Sequence, residues 1–107
     1  MSRKLKEISV IQTNLTSEKD LEDELKKEGY SSYVWSDSPG AYYPPHNHEH
    51  DECICVINGT MSFYIDGKEL EITTGKKLYL PAGTVHEARN KSNQKVIYLV
   101  GENKGDN

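Results

Sequence analysis

The sequence predicts an all-β domain, an antiparallel sandwich or barrel, carrying one short N-terminal helix. Three observations point there. After Gly29 the chain reads as short strand-like runs at 31–36, 41–48, 52–57, 60–65, 68–73, 77–80, 85–90 and 95–100. Turn chemistry separates most of them: Ser38-Pro39-Gly40, Asn58-Gly59, Asp66-Gly67, Thr74-Gly75 and Pro81-Ala82-Gly83. The length of 107 residues, with 35% hydrophobic content, suits one small core and no second domain.

The elements follow in order. Residues 7–12 form a short strand. Thr16 or Ser17 caps a helix over 18–28, with Glu18 and Asp20 in its first turn and Leu21 and Leu25 on one face. Lys26 and Lys27 close it and Gly29 stops it. Residues 1–30 are therefore expected to pack, as strand and helix, on a barrel of residues 31–101. The polar tail 102–107 is expected to fray.

Composition narrows the function classes. Thirteen Lys and Arg against 17 Asp and Glu give a net charge of −4, a poor balance for neutralising phosphates. No nucleic-acid partner is expected. No apolar run is long enough to span a membrane, so none is expected there either. The charged start at residues 1–7 leads into no apolar stretch, so no secretory signal is read and a cytoplasmic location is expected. Cys53 and Cys55 lie two apart; on a strand their Cα atoms would be roughly 6.5–7 Å apart, at the limit for a disulfide. They are read as reduced thiols packed on an outer face or a dimer interface rather than as a redox pair or soft metal site.

The histidines carry the chemistry. His46, His48 and His50 cluster and His86 stands alone. A His-x-His pair on a strand aims two imidazoles at one side, with Cα atoms roughly 6.5 Å apart. Glu52 is the natural third ligand, provided the chain bends over 49–51, because an extended segment from His46 to Glu52 would span roughly 20 Å. Glu52, Ile54 and Val56 then share the inner face, and Cys53 and Cys55 the outer one. His50, in the bend, is read as solvated rather than ligating, with a proton-shuttle role at the mouth as its functional alternative. Tyr42 and Tyr43, just before Pro44-Pro45, are candidates for presenting a hydroxyl to a substrate, against a purely stiff entry to the strand. Trp35, Tyr64, Tyr79 and Tyr98 are read as packing residues, and Arg89 as facing away from His86.

Two longer patterns carry a resemblance. Gly40, five residues, His46-Asn47-His48, three residues, Glu52, six residues and Gly59 resembles the first motif of the cupin family. Gly75, five residues, Pro81-Ala82-Gly83, two residues, His86, three residues and Asn90 resembles the second. Lys76, where many cupins have Asp, is the one departure. The resemblance implies a double-stranded β-helix, a small jelly-roll barrel. It also implies one divalent transition metal (Mn, Fe, Ni, Co, Cu or Zn) on His46, His48, Glu52 and His86. It further implies a small-molecule ligand or substrate. A metal-dependent enzyme of dioxygenase or isomerase/lyase type is the leading expectation, with Glu52, Tyr42 and Tyr43 as candidate catalytic residues. The alternatives are a non-catalytic metal-dependent sensing module and a sugar-binding cupin. A homodimer is expected, because a short barrel with little apolar content gains by covering its sheet edges.

Overall fold

Turn residues and strand alternation place the chain in two facing sheets. The computed structural model describes residues 5–103. In chain order it contains β1 (Ser9–Gln12), α1 (Glu18–Lys27), β2 (Ser31–Asp37), β3 (Tyr42–His46) and β4 (Asp51–Asn58). These are followed by β5 (Thr60–Ile65), β6 (Lys68–Thr73), β7 (Lys76–Leu80), β8 (His86–Arg89) and β9 (Val96–Asn103). One antiparallel sheet runs β1-β7-β4-β9-β2 and the other β3-β8-β5-β6. This is the double-stranded β-helix arrangement that the motifs imply.

The period-two alternation of the strands builds two cores. Between the sheets lie Ile54, Val56, Met61, Phe63, Ile65, Ile72, Leu78, Leu80, Ala88, Val96, Tyr98 and Val100. On the outer face of the larger sheet, Cys53, Cys55, Tyr79 and Leu99 meet Leu21 and Leu25 of α1 and Tyr30. The two thiols are thus outward-facing, as alternation predicts, but α1 covers them. Ser17 is the helix cap, its hydroxyl accepting from the Asp20 amide at 3.2 Å. Beneath the helix the buried Lys77 ammonium pairs with Glu24 and lies 3.4 Å from Glu28, which also accepts from the Tyr79 hydroxyl at 2.7 Å. No helix among the described residues is long and apolar enough to cross a membrane.

Tight turns set the strand bounds. Asp66 (φ 51°) and Gly67 (φ 75°) form the two-residue β5–β6 turn in the left-handed region that Asp-Gly favours. Gly59, between β4 and β5, has φ 103°, and a Cβ there would lie 3.0 Å from the Lys95 carbonyl and the Val96 Cα. Only glycine meets both demands.

The helix runs as expected, ending at Lys27 with Glu28 as its C-cap. Two expectations need correction. Strand β3 ends at His46, so His48 lies on an irregular segment rather than on the strand. Strand β9 continues through Asn103, so Glu102 and the buried Asn103 are laddered residues and not the start of a frayed tail. The remaining expected tail, 104–107, lies outside the described residues, as do residues 1–4.

Candidate metal centre and its cavity

Three local devices position the histidines. Strand β3 delivers His46 opposite His86, the first residue of β8, as direct register partners. The chain then leaves the ladder, and the His48 carbonyl accepts a hydrogen bond from the Gly83 amide at 2.8 Å. This staples the His48 segment to the Pro81-Ala82-Gly83 turn that leads into β8. The same turn is held a second time by the buried Asp51, whose carboxylate accepts from the Ala82 amide at 2.8 Å and the Leu5 amide at 2.6 Å. At the far end of β8, the buried Asn90 side chain donates to the carbonyls of Asp37 (3.2 Å) and Gln94 (2.8 Å). Asn90 therefore closes a loop and does not face the cavity chemistry.

The imidazoles converge. Ring centroids are 4.4 Å apart for His46 and His86, 4.9 Å for His46 and His48, and 5.5 Å for His48 and His86. One ring nitrogen from each lies within 4.8 Å of the others, close enough to hold a metal ion. His46 Nδ1 sits 2.7 Å from the Pro44 carbonyl and His86 Nδ1 sits 2.9 Å from the Thr84 carbonyl. A carbonyl only accepts, so each Nδ1 carries the proton and donates. That leaves both Nε2 lone pairs for a ligand, the usual way a neighbouring hydrogen bond orients a metal-binding histidine. Burial lowers His48 and His86 from the ordinary histidine value, and neighbouring rings add to the effect. The shift favours the neutral form that coordination requires.

Glu52 stands beside this trio rather than within it. Its Oε1 is 3.5 Å from His48 Nε2. Burial, and after it the Glu102 carboxylate, push its carboxyl up to about 7. Its ligand atom also groups with those of His50 and Glu102, all within 4.8 Å of one another. The donor set as a whole, imidazole nitrogens with an adjacent carboxylate, fits a divalent transition metal.

The centre opens into a cavity of about 240 Å³ between the sheets. Its polar end holds His46, His48, His86, Glu52 and Glu102, and its wall is Tyr33, Trp35, Tyr43, Phe63 and Tyr98 with Ile54, Ala88 and Val100. The wall is organised by the buried Asp37. Its carboxylate accepts from the hydroxyls of Tyr43 (2.6 Å) and Tyr98 (2.5 Å) and from Trp35 Nε1 (3.2 Å). Trp35 Nε1 also donates to the Tyr43 oxygen at 3.0 Å. The wall's hydroxyl and indole protons at these three residues are thus spent on Asp37, and the cavity meets mainly ring surface.

This separates the two tyrosine candidates. Tyr43 lines the cavity. Tyr42 is exposed, donates to Glu87 at 2.6 Å and stacks under the Arg89 guanidinium at 4.5 Å, outside the cavity lining. Among the described residues, Tyr42 therefore lies outside this cavity. His50, read as solvated, is half-buried: its side chain is 22% exposed and its shielded Nε2 faces Glu102 Oε2 at 3.4 Å. Trp35 and Tyr98, expected to pack, line the cavity as well. Glu102 was missed outright. The signal for it was the alternation of Tyr98, Val100 and Glu102, which puts all three on the inner face once β9 is allowed to run on.

The comparisons agree with the fold and the motifs. The family model for the cupin domain matches residues 33–101. The chain is 36% identical over 64 residues to quercetin 2,3-dioxygenase of Bacillus subtilis (strain 168), covering 58% of this chain and 19% of that protein. It is 33% identical over 57 residues to an uncharacterized protein of Aquifex aeolicus (strain VF5), covering 52% of this chain and 47% of that one. The chain thus spans about a fifth and about half of these curated relatives. Among solved structures, the DMSP lyase DddQ from Ruegeria pomeroyi DSS-3 superposes with a TM-score of 0.64 at 26% identity, over 73% of this chain and 39% of that one. KdgF from Halomonas sp. superposes with a TM-score of 0.58 at 25% identity, over 73% of each chain. With two sheets in this arrangement and a family match over most of its length, the chain belongs to the cupin domain family.

Proposed function

We propose that this chain is a metal-dependent enzyme acting on a small polar or aromatic molecule, of dioxygenase or isomerase/lyase type. His46, His48, His86 and Glu52 hold one divalent transition metal: Mn, Fe, Co, Ni, Cu or Zn. The observation that carries the reading is the convergence of three imidazoles, one ring nitrogen of each within 4.8 Å of the others, with Nδ1 of His46 and of His86 engaged by a backbone carbonyl. A metal bound there would supply Lewis acidity and open coordination positions for an oxygen-bearing ligand.

The chain's own residues do the rest. The aromatic wall sorts ligands by shape and ring contact, and its volume of about 240 Å³ limits them to small molecules. Asp37 fixes Trp35, Tyr43 and Tyr98 before a ligand arrives, which lowers the ordering cost of binding. Without a metal, burial raises the Glu52 carboxyl to about 7, and a bound cation would hold it as the anionic ligand. The named relatives include a dioxygenase and a lyase, which supports a choice between those two reaction types without selecting one. Homodimerisation belongs to the same reading: the edge strands β1 and β2 expose Val10 and Ile11, and Val34. A cytoplasmic setting fits two free, buried thiols.

The test is to load the protein anaerobically with each metal, measure bound metal, and assay a panel of small hydroxylated and aromatic compounds. Dioxygen uptake on aeration marks an oxygenase. Turnover with a redox-silent metal marks isomerase or lyase chemistry. Tight ligand binding without any product replaces the enzyme reading by a sensing or sugar-binding module.

A further inference from the structure

The inner face of the larger sheet changes character along its length. Glu52 and Glu102 are partners across the β4–β9 ladder at one end. Along β2, Tyr33 then pairs with Val100, Trp35 with Tyr98 and Asp37 with Val96. Alternation puts Tyr33, Trp35 and Asp37 on one face. Tyr33 and Trp35 stand edge to face, with ring centroids 6.3 Å apart and planes at 82°, so they make two adjoining walls of a box. Tyr43 and Tyr98 line the cavity with them. We propose that this aromatic box binds the alkylated ammonium group of a small organic cation, the cation's oxygen-bearing end reaching the metal; only that second half rests on the metal-centre reading.

Three features select a cation over a neutral or anionic ligand. The first is the electron density of the rings. The Tyr43 and Tyr98 hydroxyls and the Trp35 indole N–H all donate to the Asp37 carboxylate. A proton drawn toward a carboxylate leaves more negative charge on its ring, and the face of an aromatic ring attracts cations. The second is Asp37 itself. It is buried and its hydrogen bonds are made, but among the described residues no lysine, arginine or histidine pairs with it. Its charge therefore adds to the attraction of the box. The third is the rest of the lining, which contains no lysine or arginine to hold an anion among the described residues. A polyol would find the protons of Tyr43, Tyr98 and Trp35 already engaged. An alkylated ammonium needs neither acceptors nor donors, and ring faces suit it.

The probes are choline and its uncharged isostere 3,3-dimethyl-1-butanol. Each is titrated against metal-free and Zn(II)-loaded protein, read by Trp35 emission and by calorimetry. Choline is expected to bind both forms about tenfold more tightly than the isostere. Asp37→Asn and Tyr33→Leu are each expected to cut that preference severalfold, with circular dichroism confirming that the variants are folded. Equal affinity for the two probes, no binding of either, or a preference untouched by both substitutions overturns the inference. Zn(II) binding, measured on the same samples, decides the metal reading separately. Zinc bound without a choline preference leaves the metal centre standing and removes the box. A choline preference in protein that binds no zinc supports the box and removes the metal centre.

Discussion

Glu52 and Glu102 are direct partners across the β4–β9 ladder and both reach the same cavity. Like charges placed opposite one another on one face of a sheet repel. In the metal-free protein that repulsion adds to burial in raising Glu52 to about 7 from an ordinary value of 4.5.

The pH dependence follows from the sign of that shift. The folded carboxyl holds its proton more tightly than the unfolded one. Its stabilising contribution is complete below about pH 4.5 and is lost as pH rises through about 7. Metal-free Glu52→Gln is therefore expected to match wild type near pH 4.5 and to exceed it above pH 7. The expected gain is on the order of 2 kcal/mol. Urea denaturation of chelator-stripped proteins across pH measures this. Parallel curves at all pH values contradict it.

Asp37 supports the aromatic wall. Asp37→Ala leaves the Tyr43 and Tyr98 hydroxyls and the Trp35 indole without their shared acceptor. A loss of about 2–4 kcal/mol is expected. Trp35 is the sole tryptophan, so its emission reports the wall directly. Asp37→Ala is expected to shift that emission, and an unchanged spectrum with unchanged stability counts against the network.

Asp51 acts at one remove from the histidines. It anchors Ala82, and the neighbouring Gly83 amide holds the His48 carbonyl. Asp51→Ala is expected to destabilise the fold by about 1–3 kcal/mol and to weaken metal affinity about tenfold or more, although Asp51 is no ligand. Metal affinity equal to wild type in the folded variant would separate the turn from the centre.

The thiols are predicted to be inert. Burial first, and the Cys55 thiol 3.8 Å away, push Cys53 well above the ordinary thiol value. Since the thiolate is the reactive form, native protein should leave both cysteines unmodified by a thiol reagent, and denaturant should release both. Fast labelling of the folded protein would place the pair outside the core that α1 covers.

Local chemistry made most of the fold legible. The bounds of β5 and β6 follow from Asp66-Gly67, because only a two-residue turn with positive φ joins strands in that register. Glu52 inward and Cys53 and Cys55 outward follow from alternation alone. The histidine trio was legible from spacing and motif together. The misread positions depend on long-range pairing. Glu102 sits in a polar stretch whose strand character comes from its ladder with Asp51, Glu52 and Cys53, fifty residues earlier. His50 reads as solvated because local polarity does not reveal which way a bend turns its side chain. Trp35, Tyr43 and Tyr98 become one wall only through Asp37, whose role depends on three separate strands.

The most direct test of the metal centre is a crystal structure of the metal-loaded protein, with the ion located by anomalous scattering. The account predicts a peak bonded to Nε2 of His46 and His86, to a ring nitrogen of His48 and to the Glu52 carboxylate. Loaded crystals whose only anomalous peak lies away from these imidazoles, or whose imidazoles enclose ordinary water, would contradict it.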